Sequence, residues 1–387
     1  MLEEGGAKVH IVKADWTYIP GGHTADDLCQ RARELLPSGV FAHVIGGAGE
    51  ERTLAANRAG FGRYRLLPRV LVDVAEVDTS VDILGTKLDA PIFTSPTGVI
   101  NMVHPESESG IARGAAAAGV GFMLSDMSSV TLEEVASAAG PARWQQIFWR
   151  PDREIMADLV ERGESAGYKA VVLSVDVGEV SRRRIVRTGY RLPVEDGVAN
   201  LKRYGSAEWQ ARVRDRRHDV DDESLSWKNV EWLKSIVHVP LLLKGITSPL
   251  DARRAVDAGV DGIIVSNHGG RHLDGGPGTI EVLEEILHAV GGKIPVLIDG
   301  GVRRASDIAI ALSLGAAAVG LGSPVVCALA CGGADVVSGF LEDLVADLRR
   351  ALGVLGAPNV AGLTRDHVSR IDQYVSDTAL GPFLPAR

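Results

Sequence analysis

At 387 residues, with 45% hydrophobic and 24% charged side chains, the chain has the composition of an ordinary globular protein. It has apolar material for one large α/β domain or two smaller ones, and disorder, collagen and coiled coil do not fit. Its 50 acidic and 41 basic residues give a net charge of −9, which leaves no electrostatic footprint for nucleic acid or an anionic membrane. Cys29, Cys327 and Cys331 are too few to staple a chain this long and fit a reducing, cytoplasmic setting, and the acidic start (Glu3, Glu4) does not resemble a signal peptide.

After a tail over residues 1–23, Thr24 suits the N-cap of a helix through Leu35, with Asp26 and Asp27 at its positive end. Residues 24–89 hold these N-terminal helices and a hairpin, Asp73–Leu88, able to plug the bottom of a barrel. From Ala90, short apolar runs alternate with amphipathic stretches. The predicted strands are Pro91–Ser95, Gly121–Ser125, Trp144–Phe148, Ala170–Asp176, Pro240–Lys244, Gly262–Ser266, Val296–Asp299 and Ala317–Leu321. The predicted helices between them are Ile111–Ala118, Leu132–Ala138, Arg153–Ala166, Val230–Ile236, Pro249–Ala258, Ile280–Ala289 and Ala305–Leu314. Strands apolar throughout call for a parallel sheet covered by helices. Eight βα units fit a closed (β/α)₈ TIM barrel over residues 90–370, although periodicity alone also allows an open doubly wound sheet.

Two segments interrupt this pattern. Residues 184–227 are rich in charge (Arg212, Arg214, Asp215, Arg216, Arg217, Asp219) and read equally well as a solvated surface loop or a mobile lid. Ile308–Ala334 carries no charge and exceeds the roughly 20 residues that cross a bilayer. Gly315, Gly320, Gly322 and Pro324 break it, however, into a helix, a strand, a turn and a second helix of a protein core. Residues 371–387 form a C-terminal tail.

In a barrel, chemistry collects at the C-terminal ends of the strands. Those ends carry Ser125, Gln146, Asp176, Lys244, Ser266-Asn267-His268, Asp299-Gly300-Gly301 and Gly322-Ser323. Taken singly, each could be a salt-bridged strand end. Lys244 closes an apolar run, where a charge is costly unless satisfied, and Asp176, Lys244 and His268 would converge on one mouth. Two glycines after His268 let the chain turn and bring Arg271 to the same rim, setting a titratable base beside a planar anion clamp. Asp299-Gly-Gly-Val-Arg303 and Gly320-Leu-Gly-Ser323 follow the last two strands, the usual phosphate site of such barrels. No Gly-x-Gly-x-x-Gly opens a first βα unit, and no His, Cys and Asp have metal-ligand spacing.

Ser266-Asn-His-Gly-Gly-Arg271, Asp299-Gly-Gly-Val-Arg-Arg304, Leu243-Lys-Gly245, Leu173-Ser-Val-Asp176, Gly47–Asn57 and His104-Pro-Glu106 resemble the FMN-dependent α-hydroxy acid oxidase/dehydrogenase family, from about Leu28 to about Asp366. The resemblance implies FMN as cofactor and oxidation of a 2-hydroxy acid to the 2-oxo acid, with His268 as base, Asp176 orienting it, and Arg271 and Arg183 binding the substrate carboxylate. It implies Lys244 beside the flavin, and Pro96, Thr97, Gly98, Ser125, Gln146, Ser174 and Ser266 along the ring and ribityl chain. Asp299, Gly301, Arg303, Gly322 and Ser323 would hold ribityl and phosphate. A homotetramer follows from the same resemblance; the charge balance sets aside nucleic-acid and membrane partners, and the charged 184–227 loop favours dioxygen or a soluble carrier over a membrane quinone as electron acceptor.

Several positions depart from the family pattern. His43 and Phe148 stand where tyrosines are usual, Met127 where a tryptophan is usual, and Ser323 where a phosphate-binding arginine is usual. These imply a pocket for a bulkier or aromatic substrate, lined by His43, Phe148 and Met127 and opened further by Gly98. They also leave room for altered chemistry on a specialised metabolite, such as amine or alcohol oxidation or oxygenative decarboxylation.

Overall fold

The computed structural model describes residues 17–176, 190, 198–205 and 224–371. Three helices, α1 (Ala25–Leu35), α2 (Ser38–Ile45) and α3 (Arg52–Phe61), precede the barrel. Thr24 and Asp27 cap α1 reciprocally: the Asp27 N–H donates to Thr24 Oγ1 at 3.2 Å and the Thr24 N–H to Asp27 Oδ2 at 2.8 Å. A short strand, β1 (Tyr64–Leu66), leads to the hairpin, whose strands β2 (Val81–Ile83) and β3 (Thr86–Leu88) occupy only the end of Asp73–Leu88.

The closed barrel alternates β4 (Ile92–Thr94), α4 (Ser107–Ala117), β5 (Gly121–Ser125), α5 (Leu132–Ala138), β6 (Arg143–Phe148), α6 (Arg153–Ser165), β7 (Val171–Ser174) and α7 (Trp227–Ile236). It continues with β8 (Leu241–Ile246), α8 (Pro249–Asp257), β9 (Gly262–Val265), α9 (Thr279–Val290), β10 (Val296–Asp299), α10 (Ala305–Leu314) and β11 (Ala318–Leu321), and β11 pairs with β4 in parallel to close the ring. Closure removes the open-sheet alternative. A final helix, α11 (Ser323–Leu355), and a strand, β12 (Val368–Arg370), that pairs with β1 complete the described chain.

Each barrel strand sends one residue into the barrel's interior: Phe93, Met123, Trp144, Val172, Leu242, Ile264, Leu297 and Ala318 form a cluster with Ile83 and Leu88 of the hairpin. This packed layer makes the barrel a solid plug. Trp144 Nε1 donates to Thr86 Oγ1 at 2.9 Å, so the hairpin seals the bottom and satisfies the indole. The site is therefore confined to the other end.

The uncharged Ile308–Ala334 stretch divides into α10, β11 and the first limb of α11. Gly332 and Gly333 leave helical geometry and split α11 in two, and Cys327, Leu329, Val337 and Leu341 of its two limbs are buried in the core shared with α1 and α4. Of the long excursion after β7, residues 198–205 dock on α5 and α6: Asn200 Nδ2 donates to Ser128 Oγ at 2.8 Å, and Val198 and Leu201 pack on Leu159 beside Met127. Residues 177–189, 191–197 and 206–223, with Arg183 and most of the stretch read as a lid, lie outside the described residues, as do residues 1–16 and 372–387.

Candidate active site

His268 begins the turn His268–Gly270 directly after β9, with φ 56°, a left-handed value that non-glycine residues adopt rarely and mostly at functional sites. Asn267 and Asn57 hold this turn, exchanging side-chain amide hydrogen bonds of 2.8 Å in both directions. His268 Nδ1 lies 3.2 Å from both carboxylate oxygens of Asp176. The acceptor-only carboxylate fixes the proton on Nδ1 and leaves Nε2 to accept one.

Asp176 sits beyond the ladder rather than within the expected strand, because β7 ends at Ser174. What admits it is Gly245, at a bulge in β8 with φ 114°: a Cβ there would lie 2.5 Å from Asp176 Cβ and Cγ. Burial alone would raise the Asp176 carboxyl, but the charge and hydrogen bond of His268, with Lys244 behind, hold it well below the usual carboxylate range. A carboxyl depressed in the folded state adds stability that is complete above the unfolded value of about 3.9 and is lost as pH falls toward the depressed one. Chemical denaturation followed from pH 6 down to pH 3 should therefore show a steeper acid loss for the wild type than for Asp176→Asn.

Lys244 is almost fully buried, its Nζ 3.0 Å from Ser266 Oγ and 3.3 Å from Asp299 Oδ2. Ser266 Oγ also accepts the His268 N–H at 3.1 Å, and Ser95 Oγ donates to Asp299 Oδ2 at 3.2 Å. One polar chain thus runs from β4 through β10 and β8 to the base.

Above these groups is a cavity of about 320 Å³. Its lining includes His43, Met127, Phe148, His268 and Arg271, then Pro96, Thr97, Gly98, Ser125, Gln146 and Lys244, and also Asp299, Gly301, Arg303, Gly322 and Ser323. Three expected residues lie behind the wall instead. Asp176 acts through His268, Ser174 accepts from Gln146 Nε2 at 3.0 Å, and Ser266 supports Lys244. Ser174 and Ser266 are fully buried, so they position lining side chains and do not line the cavity themselves.

Gly98 also needs correction: a Cβ there would meet the Met127 carbonyl oxygen at 2.7 Å and Met127 Cβ at 2.8 Å. The glycine permits close approach of Met127 and creates no open space. Arg271 is partly committed, since its Nη1 donates to the carbonyl oxygens of His43 at 2.7 Å and Gly46 at 3.2 Å. Its Nη2 lies 3.2 Å from His43 Nε2; arginine only donates, so that nitrogen accepts and neutral His43 carries its proton on Nδ1. His43 and Arg271 form one unit at the rim.

Sequence reasoning missed His272, whose ring packs edge-on at 4.3 Å from His268 while Phe148 stacks at 6.2 Å. It also missed a buried ion pair behind that wall. Arg150 Nη1 lies 2.6 Å from Asp126 Oδ2, which also accepts the Phe148 N–H at 3.0 Å. The pair fixes the backbone next to Met127 and Phe148. Removing one member of a buried pair strands the other charge, so Arg150→Met should cost about 3–5 kcal/mol in urea unfolding, and Arg150→Met with Asp126→Ala should recover most of it.

Gly300 and Gly301 have φ 91° and 88°, and a Cβ on Gly301 would lie 2.1 Å from the Asn57 carbonyl oxygen. Arg303 Nη2 donates to Ser323 Oγ at 3.2 Å, while its buried Nε, like Asp299 Oδ1, has no protein partner among the described residues. Unsatisfied buried groups of this kind mark a ligand's place.

Residues 32–370 match the model of a family described as FMN-dependent dehydrogenase. The chain is a member of that family. Among its relatives is a peroxisomal (S)-2-hydroxyacid oxidase of Arabidopsis thaliana, 42% identical over 347 residues, or 89% of this chain and 95% of the relative. A 4-hydroxymandelate oxidase of Amycolatopsis orientalis is 41% identical over 343 residues, 88% of this chain and 96% of the relative. A solved mandelate oxidase with (S)-4-hydroxymandelic acid superimposes with a TM-score of 0.83 at 39% identity, covering 89% of this chain and 98% of that one. The chain is an oxidoreductase with FMN as cofactor. The cavity fits that cofactor, since its lining includes an unpartnered guanidinium Nε, a glycine turn and a buried ammonium.

Proposed function

We propose that this enzyme oxidises an aromatic 2-hydroxy acid to the corresponding 2-oxo acid. The observation that carries the reading is the His268–Asp176 pair, with Nε2 available, set in one cavity with Arg271 and an apolar wall of Phe148 and Met127. Arg271 and His43 hold the substrate carboxylate, and His268 takes the proton released as the C2 alcohol becomes a ketone. Asp176 stabilises the resulting imidazolium. FMN, when bound, would supply the two-electron acceptor, with Lys244 among the residues that would hold it and dioxygen or a soluble carrier as the final acceptor. Lys244 holds positive charge where negative charge develops.

Phe148 brings no hydroxyl to the carboxylate, which forgoes about 0.5–1.5 kcal/mol of recognition, and it offers a flat apolar face instead. The 4-hydroxymandelate oxidase and mandelate oxidase among the relatives support an aromatic side chain in the substrate. Product analysis across a panel tests this: (S)-mandelate should give benzoylformate with kcat/KM at least about 10-fold above that for glycolate, a gap of 1.4 kcal/mol that burial of the ring readily supplies. Turnover of amines or amino acids without turnover of any hydroxy acid, or release of carbon dioxide as the main outcome, would replace the reading with altered chemistry. A cytoplasmic homotetramer belongs to the same reading, and sedimentation equilibrium at four chain masses is its check.

A further inference from the structure

Arg303 lines this cavity beside Ser323. Ser323 contributes a hydroxyl to Arg303, where the family resemblance leads one to expect a second guanidinium. Arg58, in the last turn of α3, lines the same cavity together with Gly301, Arg303 and Ser323. Its placement is fixed by the backbone. Helix α3 runs so close to the Gly300-Gly301 turn that a Cβ on Gly301 would sit 2.1 Å from the Asn57 carbonyl oxygen and 3.3 Å from the Arg58 nitrogen.

The charge of Arg58 reaches Arg303 and is opposed by Asp26 and by Asp307, whose Oδ2 accepts the Arg303 N–H at 2.9 Å. Neither Arg58 nor Arg303 is in an ion pair among the described residues, and Asp26, which borders the adjoining cleft, pairs with Arg304 at 3.8 Å. Burial, then the charge of Arg58, weaken the hold of Arg303 on its proton, and the buried Nε of Arg303 has no partner. A phosphate dianion set between two guanidiniums is held by charge-assisted hydrogen bonds from both.

We infer that Arg58 supplies the second positive charge for the phosphate of FMN, in place of the side chain that Ser323 lacks. The assignment rests on FMN being the cofactor and extends the phosphate site from the barrel's last two strands to a helix that precedes the barrel. It also predicts discrimination: Arg58 recognises the phosphate and contributes nothing to the flavin ring.

The experiment is titration of full-length protein stripped of flavin with FMN and, separately, riboflavin, each followed by quenching of flavin fluorescence. Arg58→Gln should weaken FMN binding by at least about 10-fold, the worth of one charged hydrogen bond, and leave riboflavin affinity within about twofold. Arg58→Lys should keep most of the FMN preference, and Ser323→Arg in the Arg58→Gln background should restore it. An unchanged FMN affinity in Arg58→Gln, or an equal loss for both flavins, would overturn the assignment. Failure of the wild-type protein to bind either flavin would instead remove the FMN reading, and the role of Arg58 with it.

Discussion

His268→Asn should lower the rate of flavin reduction by a 2-hydroxy acid by about 10²–10⁴-fold, the range that a positioned general base contributes, while the protein still binds flavin. Asparagine is the informative replacement because the φ of 56° at this position suits it far better than alanine. It can still donate a hydrogen bond to Asp176, so the fold around Gly245 survives, and it cannot take a proton. Stopped-flow absorbance under anaerobic conditions measures the step directly. A rate within about threefold of wild type would mean that another group carries the proton, with His272, edge-on at 4.3 Å, the first alternative to test.

The second large effect is expected from Lys244→Met. The ammonium is enclosed by Ser266 and Asp299, and its loss strands a buried carboxylate, a situation that costs about 3–5 kcal/mol. Purified Lys244→Met should therefore unfold at lower urea and carry little flavin. Adding Asp299→Asn removes the stranded charge and should return much of the stability without returning the rate of flavin reduction, since the cation beside the ring is still missing. A Lys244→Met protein that reduces its flavin at the wild-type rate would contradict the role given to this residue.

The barrel was legible because its strands are short continuous apolar runs with polar ends, and the ends of β5, β10 and α10 match the expected ones. Lys244 of β8, Asp299 at the end of β10 and His268 in the turn after β9 line one cavity, as their positions implied. Less legible was which polar residue faces the cavity and which supports it. Ser174 and Ser266 sit at strand ends like their neighbours, yet the alternation of side chains and the bulge at Gly245 turn them into the wall.

Groups delivered from outside the barrel carried no signal of which partner they would meet. Asn57 pairs with Asn267 across 210 positions of sequence, and Arg58 arrives on the same helix. The Asp126–Arg150 pair joins the ends of adjacent strands through a contact that no periodicity announces. Composition marks such residues only as polar; the closed barrel is what brings them together.

Anaerobic addition of (S)-mandelate to the purified yellow protein is the most direct measurement of the central claim. Bleaching of the absorbance near ~450 nm, with benzoylformate formed in equal amount and no bleaching in His268→Asn on the same timescale, is the predicted result. A colourless protein, or a flavin that no 2-hydroxy acid reduces, would contradict it.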